Sequence, residues 1–347
     1  MSNPELIGID GGAGHVKLRD KKLSARFPST IHAGASSVSV YSDTPFAQQI
    51  SVDVTVGDDH FYHDVSGETI LTGTHDFIVS KARVAGVVAS MARAGMLSNA
   101  RNFKAVVTAP YNRIHLPDGK KDMPMVEEMR KTFLLPITVA GLEGEQPRFT
   151  DVQFVSEGIA GAFDYLQDLT TGMELRSRPE TNSNMKIAVI GIGHSTVDFV
   201  TARGNTIQMK DSRVTYECAT NEFLGLLNQR LIEAKIYKAD FDRYKLIAAA
   251  ETGKLVVRGD TIDITKHIEY CVNVWTKHLS MWIKNQRFSW DTYDKVILIG
   301  GGTHLIRNVV KPDWFGNHNP IIPTDPEFAN VRGAYKLAVR AWYKKNG

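Results

Sequence analysis

Leu6-Ile7-Gly8-Ile9-Asp10-Gly11-Gly12-Ala13-Gly14-His15-Val16-Lys17-Leu18-Arg19 stands at the start of the chain, and its pattern sets the fold. A short apolar run ends in an acid, Gly11 to Gly14 supply a turn, and apolar and polar residues then alternate. This is a β-hairpin with a glycine-rich tip, and Lys22 to Phe27 continues it as a third strand. The same pattern returns at mid-chain. Lys186 to Ile192 reads as a strand, Gly193-His194-Ser195-Thr196 as a turn and Val197 to Thr201 as a strand, with Thr206 to Lys210 as a third. Two β-β-β units, each with a glycine-bearing hairpin, therefore head the two halves of the chain. Two halves with facing hairpins can clasp an anionic ligand between them.

At 347 residues the chain exceeds one average domain, so two domains sharing a cleft are expected. Outward from the first hairpin, β-rich sequence runs to about Thr74. An alanine-rich helix is predicted over Lys81 to Met96, and a strand, Phe103 to Thr108, enters Ala109-Pro110. A charged helix follows over Met123 to Phe133 and a strand over Val152 to Val155. Ser156 is placed to cap a helix from Glu157 to about Leu169. Thr170 to Met185 is polar, lacks an apolar period and reads as a linker. Beyond the second hairpin, helices are predicted over Asn221 to Ala234, Phe241 to Ala250 and Ile264 to Asn285, with a small hairpin over Leu255 to Ile262. Lys295 to Ile299 is a buried strand by its apolar run, and Gly300-Gly301-Gly302-Thr303 leads into a helix from about His304. A helix from about Phe328 to Lys344 closes the chain.

Composition narrows the function classes. An apolar share of 43% and a charged share of 23% are those of an ordinary soluble globular chain. The net charge of +3, with Lys and Arg spread along the sequence, argues against direct DNA binding; a role on DNA would pass through an adaptor. Cys218 and Cys271 form no CxxC and read as reduced thiols, and the 11 histidines show no zinc spacing. No basic segment followed by an apolar stretch occurs, nor an apolar run long enough to span a bilayer. A cytoplasmic location without a membrane partner is expected.

The chemistry concentrates in four places. Glycines at the tip of the first hairpin expose backbone N–H groups to phosphate oxygens; Asp10 could hold a hydrated Mg²⁺ and Lys17 supply a positive charge. The plain alternative is a glycine-rich hairpin with a surface lysine. In the second hairpin, Gly193 permits close backbone approach, and Ser195 and Thr196 can donate hydroxyls. Gly300 to Gly302 let a flat ring or a phosphate approach the backbone near a helix start, or simply make a tight turn. Neither GxGxxG nor GxxxxGK[ST] occurs. Glu157 either complements the dipole of its helix or orients an attacking water.

This order of hairpin, strand–Pro, Glu-helix, hairpin, strand–GGG and terminal helix resembles that of the actin, Hsp70 and sugar-kinase superfamily. Ile7 to Leu18 is similar to its first phosphate motif, Ile187 to Val200 to its second and Val296 to Thr303 to its adenosine motif. Ser156-Glu-Gly-Ile-Ala-Gly-Ala162 and Glu327-Phe-Ala-Asn-Val-Arg-Gly333 resemble the ParM/StbA-type plasmid-segregation branch, and archaeal actin-like proteins share much of the pattern. The resemblance implies an α/β actin-like fold with two ribonuclease-H-like domains, 1–160 with 326–347 and 161–325. It implies ATP or GTP with Mg²⁺ in the cleft, a polar filament that disassembles after hydrolysis, and plasmid segregation through a DNA-bound adaptor of ParR type. Carried over by position, Asp10 would organise the Mg²⁺ water shell and Glu157 the attacking water. Gly11, Gly12, Ala13, Gly14, His15, Lys17, Gly193, His194, Ser195 and Thr196 would hold phosphates, and Gly300, Gly301, Gly302 and Thr303 would flank base and ribose. One departure stands out. The second phosphate motif usually begins with an aspartate, and here that place is Gly191. By analogy with other positioned groups, such a loss costs on the order of 10²–10³ in rate. A sugar or acetate-type kinase of the same superfamily is the alternative, with an acceptor site to be sought in 109–122.

Overall fold

The computed structural model describes residues 3–34, 51–64, 75–98, 101–170, 173–179, 184–204, 206–208, 212–236, 242–286 and 288–343. The first half contains β1 (Glu5–Gly11), β2 (His15–Arg19), β3 (Ser24–Pro28), β4 (Ile31–Ala33), β5 (Ser51–Val56), β6 (Asp59–Asp64) and α1 (Lys81–Arg93). It continues with β7 (Asn102–Ala109), α2 (Tyr111–Ile114), α3 (Met123–Phe133), β8 (Ile137–Val139), β9 (Arg148–Ser156) and α4 (Glu157–Leu166). The second half contains β10 (Gln167–Leu169), β11 (Leu175–Ser177), β12 (Lys186–Ile192), β13 (Val197–Arg203), β14 (Thr206–Ile207), β15 (Arg213–Thr215) and α5 (Thr220–Glu233). Then come α6 (Arg243–Thr252), β16 (Lys254–Val257), β17 (Asp260–Asp263), α7 (Thr265–Asn285), β18 (Lys295–Ile299), α8 (Gly302–Ile306) and α9 (Ala329–Trp342).

One plan is used twice. In the first sheet, ordered β3-β2-β1-β7-β9, the antiparallel meander β1–β3 continues through β7 and β9, both parallel to β1. In the second, β14-β13-β12 is again an antiparallel meander, and β18 joins β12 in parallel. β15 pairs antiparallel with β13 as the fifth strand, and beyond β18 lies a parallel bridge at Ile321, whose N–H donates to Val296 O at 2.8 Å and whose carbonyl accepts from Leu298 at 2.9 Å. β1 and β12 lie inside their sheets, β18 is covered on its outer side by the Ile321 bridge, and all three are buried over most of their length, as their apolar runs require. β2 alternates buried and half-buried positions, as its alternating sequence does.

Each half adds its own extension. A four-stranded sheet, β4-β6-β5-β8, packs on α1 in the first half; α5, α6 and α7 build an apolar core around Phe223 and Trp275 in the second. α4 and α9 cross between the two main sheets. α9 packs on β1 and β7, while α4 packs on α9, β12 and β13. The crossing is close, because a Cβ on Gly333 would stand 1.8 Å from the carbonyl oxygen of Ala160, so only glycine fits. A buried ion cluster pins it: Asp164 receives Lys336 Nζ at 2.7 Å and Arg332 Nη2 at 2.8 Å.

Most elements lie where the sequence put them, with instructive differences. The helix from Glu157 stops at Leu166, because Gln167 to Leu169 pairs with Leu175 to Ser177 inside the stretch that reads as a linker. The helix from Lys81 stops at Arg93, and a single 3-10 turn, Met96–Ser98, follows Gly95 in left-handed backbone. The strand from Thr206 pairs only to Ile207; Lys210, Phe241 and Lys344 lie outside the described residues. Ser156 occupies the N-cap of α4 but makes no capping hydrogen bond, and its buried hydroxyl has no partner among the described residues. Among the described residues no helix is long and apolar enough to cross a membrane.

Candidate functional site

The two hairpins turn in the same way. Gly11 pairs with Val16 and Ile192 with Val197, so each turn is the four residues between, starting at Gly12 and Gly193. The first turn is fixed by Ser29, whose N–H donates to Gly14 O at 3.2 Å and whose hydroxyl donates to Gly12 O at 2.6 Å. The second is closed by Gly193 N–H donating to Thr196 O at 2.8 Å. The turns face each other so closely that a Cβ on Gly14 would stand 3.0 Å from Cγ of His194. Between them lies a cavity of about 850 Å³, lined by every residue expected from the two hairpins together with Glu157 and Gly300 to Gly302. Thr303 is the exception. It is fully buried, and its hydroxyl donates to Ile299 O at 2.7 Å within the α8 turn, so it does not reach the cavity.

Three carboxylates gather at one end, two of them buried and Glu157 half-buried. Asp10, 4% exposed, accepts from Thr108 Oγ1 at 2.8 Å and pairs with Lys17 Nζ at 3.3 Å, fixed by its rung in β1 opposite Lys17 in β2. Glu157, at the first position of α4, lines the cavity, and its carboxylate accepts no hydrogen bond among the described residues. Burial pushes its pKa well above the ordinary range, and the charges of Asp10 and Asp198 push it further. The third was not foreseen. Asp198 stands directly across the ladder from Gly191 and is 1% exposed. It accepts from Thr196 Oγ1 at 2.9 Å and from Tyr111 N–H at 3.4 Å, and burial lifts its pKa to about 6. The second hairpin therefore does carry an acid at the Gly191 rung, on the other strand and beneath the cavity wall. An acid inside an otherwise apolar strand, Val197-Asp198-Phe199-Val200, was the available signal.

Cations surround the two turns. Arg243 of α6 donates to Ala13 O at 3.2 Å and lies 3.4 Å from His194 Nε2, which ties the second half to the first turn. Arg26 of β3 bridges to Glu327 at 2.7 Å and Glu251 at 3.1 Å. His15, covered by its surroundings, has its pKa lowered to about 3 by burial and then by Arg26, Lys17, His194 and Arg243. His194 is lowered to about 4, by burial and Arg243. Both rings are neutral at pH 7, and the cations around them leave positive potential for an anion to use. Arg26, Arg83 and Arg243 carried no motif in the sequence; folding alone brings them together.

The other end is apolar. Leu224, Ile247, Ala250 and Leu305 line it, beside the glycine triplet. Gly300 has φ +90, and a Cβ there would meet Ile192 O at 2.4 Å, so this glycine serves the packing of β18 on β12. Gly301 faces open space and is the one of the three that leaves backbone bare. α8 has only five residues, so a helix-dipole contribution is not available and close approach carries the case.

A cavity of this size, with two donor turns, Lys17 and Arg243 at one end and an apolar wall at the other, fits a nucleotide polyphosphate and its base. Among the described residues no three His, Cys, Asp or Glu side chains converge on a direct metal site.

Residues 189–312 match the C-terminal domain family of archaeal MreB-like actin homologues. No curated protein is significantly similar to the chain in sequence. Solved structures are similar over nearly its whole length. A 15-stranded ParM filament from Clostridium botulinum matches with TM-score 0.72 at 15% identity, covering 98% of this chain and 100% of that one. The actin-like protein Alp7A matches with TM-score 0.72 at 15% identity over 97% of this chain and 96% of its own. The archaeal actin homologue Ta0583 in complex with ADP matches with TM-score 0.66 at 18% identity, covering 97% and 99%. The repeated sheets, the α4–α9 crossing and the cleft between facing hairpins are thus those of the actin-like fold, and the chain is similar in structure to ParM and to an archaeal actin homologue.

Proposed function

We propose that this chain binds ATP or GTP with Mg²⁺ between its two hairpins and assembles into a polar filament whose disassembly follows hydrolysis. The observation that carries the reading is the cavity itself: two facing glycine turns, flanked by Lys17 and Arg243, with the unpartnered carboxylate of Glu157 at one end. In this reading the N–H groups of both turns hold phosphate oxygens, and Lys17 and Arg243 balance their charge. Glu157 takes a hydrogen bond from the attacking water and orients it, its raised pKa making it a stronger proton acceptor than an ordinary carboxylate. A hydrated Mg²⁺, when bound, neutralises phosphate charge, and Asp10 is the residue that would hold its water shell. The leucine and isoleucine wall with Gly301 receives the base.

The units 1–160 with 326–347 and 161–325 would then close on the nucleotide about the α4–α9 crossing. The similarity to a ParM filament and to an ADP complex supports the reading. We take the filament to work in the cytoplasm on plasmid DNA through a DNA-binding adaptor of ParR type, without direct DNA or membrane contact. Right-angle light scattering with pelleting tests it, using purified protein with Mg²⁺ and ATP, GTP, ADP or a non-hydrolysable triphosphate. A rise that needs triphosphate, persists with the analogue and decays with ATP or GTP is expected. No assembly with any nucleotide, over a range of salt and protein concentration, would remove the filament reading.

One observation favours a second reading. The cavity continues past Glu157 to Pro110, Arg113 and Tyr216, where a small phosphoryl acceptor would stand. Triphosphate-dependent phosphorylation of a sugar or carboxylate panel would decide for that kinase.

A further inference from the structure

Arg83 stands apart from the ion pairs of the cavity. It lies in the first turn of α1, where its N–H is capped by Ser80 Oγ at 3.2 Å. Its side chain turns inward and is 2% exposed. Nη2 donates to Thr108 O at 2.6 Å, Nη1 donates to Ile78 O at 3.1 Å, and Nη1 lies 3.9 Å from Met129 Sδ. No carboxylate among the described residues comes within ion-pair distance of it. Its buried Nε–H has no acceptor among the described residues.

A guanidinium has five N–H groups, and neutral carbonyls with one thioether use at most three of them here. A buried cation without an anionic partner is costly, and proteins keep such a group where an anion will meet it. Asp10 and Glu157 attract Arg83 from a distance, yet Asp10 is already engaged by Thr108 and Lys17. The unused edge has a direction. A Cβ on Gly11 would stand 3.0 Å from Nε and 3.5 Å from Nη2, so Nε, the nitrogen left over, packs against the strand end that opens the first turn. Arg83 also lines the cavity, at the Glu157 end and away from the Leu224–Ile247–Leu305 wall.

We propose that Arg83 is a ligand-contacting residue that receives the terminal phosphoryl group of a nucleoside triphosphate through its Nε edge, so that the cavity tells triphosphate from diphosphate. The assignment rests on the nucleotide reading of the cleft. A guanidinium suits it because its planar fork meets phosphate oxygens in two places, whereas an ammonium meets them as a point charge. It has a structural consequence as well. α1 packs on β4, β5 and β6, so a phosphate held by Arg83 ties the four-stranded sheet to the state of the nucleotide.

The test measures equilibrium binding of fluorescent ADP and of a fluorescent non-hydrolysable triphosphate to the full chain. Wild type comes first, then Arg83→Gln and Arg83→Lys, each with a thermal melt. Arg83→Gln is expected to weaken triphosphate binding about 30-fold and ADP binding less than threefold; Arg83→Lys falls between. Equal losses for both nucleotides mean that Arg83 only supports the fold and overturn the assignment, as does an unchanged triphosphate affinity. If Arg83→Gln does not fold, the comparison is made on Arg83→Lys, which keeps the charge and loses the fork; a selective loss of about tenfold supports the proposal and an equal loss overturns it. Wild type that binds neither nucleotide overturns the cleft reading and this assignment together. Wild type that prefers triphosphate, with a variant that prefers it equally, overturns this assignment alone.

Discussion

The first and second hairpins share a backbone plan and invert its chemistry. In both, a four-residue turn begins with glycine, and the second rung below it carries the functional pair. On the first hairpin that rung is Asp10 opposite Lys17, and both side chains line the cavity. On the second it is Gly191 opposite Asp198; the cavity side is bare, and the carboxylate sits one layer deeper, accepting from Tyr111 N–H of the first half. One hairpin turns its acid to the cavity, while the other uses its acid to hold the backbone of the first half. A duplicated frame fixes where groups can stand; which strand carries the acid decides what it does.

If that contrast is right, the largest effects come from the carboxylates that line the cavity. Glu157→Gln and Asp10→Asn are each expected to lower steady-state phosphate release by about 10²–10³, with nucleotide still bound, since each removes a positioned charge at the reacting end. Phosphate release by Glu157→Gln equal to wild type would show that Glu157 has no such role. On the second hairpin, Asp198→Asn is expected to act on stability. Burial lifts the pKa of Asp198 from 3.8 to about 6, so the folded protein holds this proton more tightly than the unfolded chain. Stability from this group is full below about pH 3.8 and is lost as pH rises to about 6; ionised at neutral pH, it costs on the order of 3 kcal/mol. Asparagine keeps an acceptor for Tyr111 N–H and carries no charge. Urea midpoints from pH 4 to 8 should therefore show the variant flatter and more stable than wild type by about 2–3 kcal/mol at pH 7.5, and equal to it at pH 4. Parallel curves would mean that the Asp198 charge is already balanced.

The contrast also marks how far the sequence could be read. Both hairpins, the cavity glycines and Glu157 were legible because apolar period, turn chemistry and strand-end acids are local signals. Asp198 was half legible: an acid in an apolar strand is visible, but the rung it shares with Gly191 needs the register. Arg83, Arg26 and Arg243 were not legible, since each reaches the site only through packing between segments far apart in the chain. Thr303 misled for the opposite reason. Its place beside the glycines suggested a ligand contact, yet the α8 turn takes its hydroxyl back to Ile299. The three-residue strands β4 and β8 are too short for periodicity to register.

Gly191→Asp sharpens the comparison by restoring the usual acid. There is room, because a Cβ at this position would meet nothing closer than Asp198 Cβ and Ile299 Cγ1, each at 3.7 Å. The new carboxylate would stand on the cavity wall above Asp198, near Glu157. With Mg²⁺ present we expect hydrolysis to rise about tenfold, well short of the full value of a positioned acid, because neighbouring charges oppose it. A fall in rate at unchanged nucleotide affinity would mean that the second hairpin needs its bare rung.

The smallest effect is expected at Ser195. If the second turn holds phosphate through its backbone, with Gly193 N–H already committed to Thr196 O, then a neighbouring hydroxyl adds one neutral hydrogen bond at most. Such a bond contributes about 0.5–1.5 kcal/mol, so Ser195→Ala should weaken nucleotide binding by about threefold to tenfold and leave hydrolysis of the bound nucleotide unchanged. Lys17→Ala on the first hairpin provides the contrast, since it removes a charge and strips Asp10 of its partner; its loss should exceed that of Ser195→Ala at low salt and shrink as salt rises. Titrations of both variants at two salt concentrations separate the cases. Equal, salt-independent losses would mean that the two turns hold the ligand in the same way, and that their difference lies only in the acid beneath.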